Sequence, residues 1–276
     1  MLQAIKRDTR HASFIILLIV ALWAIGAYGL APWFWRHYEH QRDLAGLTMV
    51  TYTRTGIPGD PINVGLVGAK EDVLCAMNAA GWYPADPVTF RSSLEIVGSV
   101  LLDRPYRDAP VSPLMFQNKR EDLAFEKPAG KSADRRHHVR FWVALDRGEE
   151  GRAVWLGAIT FDRGVGISHD DGRITHHIAP DVDSERDLLT DDLKAAKVVT
   201  TVYEVTGTGP ILNGRNGEGD PYYTDGEILF SRLAKGCRAH FDQPLVLANP
   251  PTIDAKNRFW RWFKGLWRMR KALEGA

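Results

Sequence analysis

The sequence predicts an α+β fold: a mainly antiparallel or mixed sheet with packed helices, plus one N-terminal transmembrane helix. Three observations predict it. Residues 12–35 contain no charged side chain. Short runs of β-branched and aromatic residues, separated by Gly, Pro, Asn and Asp, recur through the middle of the chain. Apolar residues at helical spacing are confined to a few segments, near 69–80, 90–102 and after Asp183. The 276 residues are 45% hydrophobic and 25% charged. That balance excludes a disordered tail and leaves room beyond the anchor for one domain of ordinary size.

The first element is the anchor. Twenty-four uncharged residues, 12–35, span roughly 36 Å as a helix, against about 30 Å of hydrocarbon. Trp33, Phe34 and Trp35 then suit the far headgroup region. A cleaved signal peptide competes, because Lys6, Arg7 and Arg10 form a basic start. The apolar run is long for one, and its exit is bulky and aromatic, so a retained anchor is expected. Lys6, Arg7 and Arg10 outweigh Arg36 and Arg42, which Glu39 and Asp43 dilute. The charge rule therefore puts the amino terminus inside and the large domain outside the cytoplasm.

The remaining divisions follow composition. A basic segment covers 1–11, a linker 36–47, an α+β domain 48–235, an extension 236–255 and a basic aromatic helix 256–276. In the domain, 49–53 reads as a strand, 56–61 as a turn-rich break and 62–67 as a buried strand. Gly68 ends that strand, and 69–80 is helical, with Val73, Leu74, Met77 and Ala80 on one side. Gly65 and Gly68 do not make a dinucleotide fingerprint, which needs G-x-G-x-x-G. A loop at 82–87 leads to a helix at 90–102 and a second loop at 104–113. Strands follow at 113–116, 123–126, 139–145 and 154–161, with a polar loop at 127–135. Ser184-Glu-Arg-Asp187 resembles a capping box opening a helix, 198–205 is a strand, 206–221 a long loop, and 222–230 a turn into the last strand.

Cys75 and Cys237 fit no CxxC or disulfide framework; one disulfide between them is the competing reading, and two unrelated free thiols are expected. The segment from Lys256 to Lys271 holds seven basic residues and no acidic one, whereas residues 1–255 carry 28 Lys and Arg against 33 Asp and Glu. A cationic helix with Trp and Phe suits the surface of an anionic bilayer. Arg258, Trp260, Arg261, Phe263, Lys264, Trp267 and Arg268 are the expected contacts. Docking of this helix on the body is the competing reading. Nucleic acid is disfavoured, because the body is acidic.

Two histidine phrases are the likeliest walls of any polar site. In a strand from His138 to Leu145, period two puts Val139, Phe141 and Val143 on one face and His138, Arg140 and Trp142 on the other. His137 goes with the first set, unless it belongs to the preceding loop. A hairpin through 146–152 brings His138 and Arg140 within reach of Thr160 and Asp162, with Asp162 at the strand end and a turn at 162–164. The second phrase, His176-His177 through Pro180 to a helix start, can add His177 and Asp181. Three readings of these residues stand side by side. They can be structural ion pairs and caps. Without metal, His138 or His177 can act as acid or base, oriented by Asp162 or Asp181, with Arg140 stabilising an anion. Alternatively His138, Asp162, His177 and Asp181 offer the donor types for a divalent metal such as zinc. No G-x-S-x-G elbow and no H-E-x-x-H pair is present.

The phrases Gly81-Trp82, Ala109-Pro110-Val111-Ser112, Asp122-Leu-Ala-Phe125, Arg136-His-His-Val-Arg-Phe-Trp142 and His176-His177 through Asp187 occur in order. Together they resemble the LssY-like C-terminal domain family over roughly 48–235. At Asn118-Lys119-Arg120-Glu121 the chain departs from that family's usual glycine-arginine-glutamine turn. The resemblance implies a bacterial membrane-associated domain, here without the larger membrane modules some relatives carry, and it implies no settled reaction. The expectation is a single-pass inner-membrane protein with a periplasmic domain. Its role would be an accessory or binding one at the envelope, with a lipid, a glycan or a membrane protein as partner. The alternatives are a His/Asp-dependent or metal-assisted hydrolase of an anionic lipid or envelope substrate, and a scaffold for a membrane complex.

Overall fold

In the computed structural model the described residues are 2–32, 40–85, 114–129, 135–148, 150–167, 174–237 and 241–274. The chain divides into two compact units, Met1–Glu39 and His40–Ala276. The first is a helix, α1 (Leu2–Ala24), which runs into a π-helical turn at Ile25–Leu30. Within it His11–Leu30, with a mean hydropathy of 2.3, is long and apolar enough to cross a membrane. The helix begins at Leu2, so the basic segment is its first turns. Trp33, Phe34 and Trp35 lie outside the described residues.

The second unit is α+β. Its strands are β1 (Val50–Tyr52), β2 (Pro58–Pro61), β3 (Val64–Val67), β4 (Tyr83–Pro84), β5 (Met115–Phe116), β6 (Lys119–Arg120), β7 (Leu123–Pro128), β8 (Arg136–Leu145), β9 (Val154–Ile167), β10 (Ile174–Ile178), β11 (Val199–Thr206), β12 (Ile211–Arg215), β13 (Pro221–Thr224), β14 (Glu227–Leu233) and β15 (Leu245–Val246). Its helices are α2 (Lys70–Ala79), α3 (Val182–Ala195) and α4 (Pro251–Glu274). Eight strands form a path β15-β11-β14-β3-β9-β8-β7-β4, and β10 adds to β9. Only β11–β15 and β14–β3 are parallel among the described pairs of this sheet, so it is mixed. A four-stranded sheet, β2-β1-β5-β6, and the hairpin β12–β13 complete the strands.

Strand alternation sorts the core onto both sides of the large sheet. One side joins Val139, Phe141 and Trp155 to Val73 and Met77 of α2 and Leu189 and Leu193 of α3. The opposite side joins Trp142, Leu156 and Phe230 to Leu114 and Phe116 near the small sheet. His137 goes with the helix side, as its parity demands, and meets Glu185 of α3. Gly65 serves packing: a Cβ there would overlap the Phe230 ring.

Several expectations change. The break at 56–61 contains β2, and the long loop at 206–221 contains β12. No turn falls at 162–164, because β10 pairs with Ile167 through Asp162 and so carries β9 past the hairpin. The expected helix at 90–102 and loop at 104–113 lie outside the described residues. The departing turn closes the β5–β6 hairpin with Gln117 and Asn118 at φ 49° and 61°, so Asn occupies a left-handed position that glycine commonly fills.

The two cysteines are not free thiols. Cys75 of α2 and Cys237 form a disulfide across 162 residues. Such a separation leaves no spacing signal. Packing makes the pair: Asp72 of α2 binds Arg152 Nη2 at 2.8 Å and accepts the Gly236 amide at 2.6 Å, which brings the turn after β14 against the helix.

Candidate functional site

The site grows from the β8–β9 ladder, where His138 pairs with Thr160 and Arg136 with Asp162. Parity puts Arg136, His138 and Arg140 on the side away from α2 and α3. Asp162 Oδ2 accepts Arg136 Nε at 3.0 Å, and Arg136 Nη1 donates to Glu126 Oε2 of β7 at 2.8 Å. Asp162 Oδ1 lies 2.8 Å from His138 Nδ1. Arg136, Glu126 and Asp162 are each at most 1% exposed, so these charges have left water entirely.

The network sets the histidine tautomer. His138 Nε2 lies 2.9 Å from Arg140 Nη1 and 3.0 Å from Thr160 Oγ1. A guanidinium only donates, so Nε2 accepts and the proton sits on Nδ1, facing Asp162. Burial pushes the His138 pKa down, and the Arg140 and Arg136 charges push the same way against Asp162. Burial alone would raise Asp162. His138, His176 and Arg136 outweigh it and hold this carboxyl well below the usual range. His138 is therefore neutral, with its lone pair already engaged. It positions Arg140, which also lies 3.6 Å from Asp60 Oδ2 of β2.

The second histidine of this group is His176, not His177. On β10, His176 turns Nδ1 to within 3.8 Å of Asp162 Oδ2. Its Nε2 is buried and has no hydrogen-bond partner among the described residues. Burial pushes its pKa down to about 4, the Arg136 and Arg140 charges act in the same direction, and Asp162 opposes them. A cleft of about 50 Å³ opens here, lined by Asp60, His138, Arg140, Asp162 and His176, with Asn216 to Glu218 of the β12–β13 connection at its rim. Asn216 Nδ2 donates to Asp60 Oδ1 at 3.3 Å, tying that rim to β2. The cleft's arginines are matched by carboxylates, so it is polar and mixed in charge, not a bare anion trap.

His138, Arg140 and Asp162 thus stand together, as hairpin geometry predicts. His177 and Asp181 do not join them. His177 packs over Gly166, where a Cβ would overlap its ring. Its Nδ1 lies 3.0 Å from Asp220 Oδ1, while Asp220 Oδ2 accepts the Ile178 amide at 2.9 Å. Asp181 caps α3 through the Ser184 amide and meets Lys264 Nζ at 2.8 Å. Of the four proposed cation ligands only His138 and Asp162 are therefore together, and among the described residues no three His, Cys, Asp or Glu side chains are grouped to hold a metal ion.

Sequence reasoning missed His176, Arg136, Glu126, Asp60 and Asp220. Arg136 was within reach, since it shares the parity of His138 and Arg140. A His-His doublet, by contrast, gives no parity until its strand is paired. The expected bilayer contacts also divide. Trp260 is buried against the body and Lys264 is ion-paired there, whereas Arg258 and Arg261 are exposed and Phe263 is half-buried. The side chains of Trp267 and Arg268 lie outside the described residues.

A mixed α+β sheet with a buried Arg–Asp–His network ending at a small polar cleft, in a chain that carries a membrane-length helix, defines the class of this protein. The chain belongs to the LssY C-terminus family, whose model matches residues 41–228. No curated protein and no solved structure matches the chain.

Proposed function

We propose that the chain is a membrane-anchored module of the bacterial envelope that binds a small polar ligand in the cleft beside His176. One observation carries this reading: the His176 Nε2 atom is buried with no hydrogen-bond partner among the described residues, in a ring that lines the cleft. Leaving such an atom unsatisfied costs about 1–3 kcal/mol, and a hydrogen bond from a ligand removes that cost. Arg140, Asp60 and Asn216 add donors and acceptors converging on the same space, the pattern of a small-molecule site.

The His11–Leu30 helix supports retention at a membrane. The Cys75–Cys237 disulfide supports an oxidising compartment. The basic start of the chain favours the same orientation, with the domain on the periplasmic side of an inner membrane. A thermal-shift screen of small polar and anionic compounds tests the cleft, run on the full chain in detergent and on His176→Asn and Arg140→Gln. Some compounds should raise the parent's melting temperature and lose that effect in both variants. Hits that stabilise all three proteins equally would overturn the assignment.

The placement of Asp162 beside His176 favours a second reading, a hydrolase in which His176 is the general base and Asp162 its orienting carboxylate. The parent should then cleave chromogenic esters or phosphodiesters at a rate that His176→Asn abolishes. Turnover unchanged by that substitution would remove this reading and leave the binding one standing.

A further inference from the structure

Helix α4 is amphipathic in the reverse sense to a helix docked by its apolar stripe. Its inner face is held largely by charge. Lys256 pairs with Glu227. Asn257 Nδ2 donates to Glu204 Oε2 at 2.7 Å. Lys264 Nζ meets Asp181 at 2.8 Å and Asp183 at 3.4 Å. Ile253 and Trp260 are the apolar residues buried there. Beneath the helix a polar cavity of about 400 Å³ remains, lined by Asp183, Glu204, Asp225 and Trp260 among others. The outer face carries Phe259, Trp262 and Leu266, at 64%, 61% and 42% exposure. Phe259 and Trp262 hold their ring centroids 5.9 Å apart, so they form one patch. Arg258 and Arg261 are exposed on the flank of the helix, Arg261 at the edge of that cavity.

We propose that α4 is a bilayer-contacting surface: Lys256 and Lys264 clamp it to the acidic body while Phe259, Trp262 and Leu266 enter the interface of an anionic phospholipid membrane. Charge complementarity names the occupant. Residues 255–273 include no acidic side chain, and the exposed arginines lie where headgroup phosphates would meet them as the rings sink below. The same chain carries a helix of membrane-crossing length, His11–Leu30, so a bilayer is at hand. The inference is independent of the cleft. It changes the expected contact set, because Trp260 and Lys264 belong to the clamp and Phe259, Trp262 and Leu266 to the lipid face.

The test uses the full chain in vesicles of phosphatidylcholine with and without phosphatidylglycerol. A nitroxide is attached at Trp262→Cys, at Phe259→Cys or, as a water-facing control, at Asp191→Cys, a position whose side chain is 72% exposed. In vesicles with phosphatidylglycerol, the labels at 262 and 259 should be several-fold less accessible to a nickel chelate than the control and more accessible to oxygen. That difference should shrink in neutral vesicles and in the Arg258→Glu/Arg261→Glu background. Chelate accessibility equal to the control, or equal depth in neutral and anionic vesicles, overturns the proposal. So does spin–spin broadening that persists on dilution into excess lipid, which would make a second copy of the chain the occupant.

Discussion

His176 Nδ1 lies 3.8 Å from Asp162 Oδ2, and the opposite nitrogen of the same ring is buried without a partner among the described residues. Asp162 thus faces two histidines, but only His138 has its second nitrogen engaged, by Arg140 and Thr160. The two rings share a carboxylate and differ in what they have left to offer. His138 is part of the scaffold, and His176 is the ring with a nitrogen unengaged among the described residues.

This difference has a pH signature. His176 titrates near 6.5 when unfolded and at about 4 when folded. Between these values the unfolded chain binds the proton and the folded chain does not, so stability is full above pH 6.5 and falls as pH drops towards 4. His138 is shifted in the same direction. Urea unfolding of the full chain in detergent should give a midpoint that declines from pH 7 to pH 4.5. His176→Asn should flatten part of that decline, and parallel pH profiles for the two proteins would refute the assignment.

Asp162 should be the most costly single residue of the network to neutralise. Asp162→Asn leaves Arg136 with one of its two described carboxylate partners and removes the charge facing both histidines. Breaking a buried pair from one side costs about 3–5 kcal/mol. Denaturant titration should show a loss on that scale, against about 1 kcal/mol for Thr160→Ala, which removes one hydrogen bond.

The histidine doublet allows a paired test. His177→Ala should leave the ligand-induced thermal shift intact and cost little stability, because its side chain is 36% exposed and its partner Asp220 still binds the Ile178 amide. His176→Ala should abolish the shift. Equal loss in both variants would mean that the cleft is assembled differently.

The disulfide should be worth about 2–5 kcal/mol. Cys75→Ala, or reduction of the parent, should lower the denaturation midpoint accordingly, and an unchanged midpoint would show that the two thiols are not joined. The parent should also resist alkylation until it is reduced.

What the sequence determined by itself is whatever local spacing encodes. An uncharged run at 12–35 is enough to specify a membrane-length helix, and period-two alternation in 138–145 separates Val139 and Phe141 from His138 and Arg140. A hairpin loop then brings Asp162 to His138, since antiparallel pairing follows from chain connectivity. Tertiary structure decided what depends on pairing between distant segments. Adding β10 to the far half of β9 chose His176 over His177, because parity in a doublet has no meaning until a register exists. The packing of α2 against the turn at Gly236 joined Cys75 to Cys237 across 162 residues. The acidic groove at Asp181, Asp183, Glu204 and Glu227 took up Lys256 and Lys264 of α4. That groove is made by separate elements, α3, β11 and β14, so the helix's own sequence could not show which of its faces would be left outside.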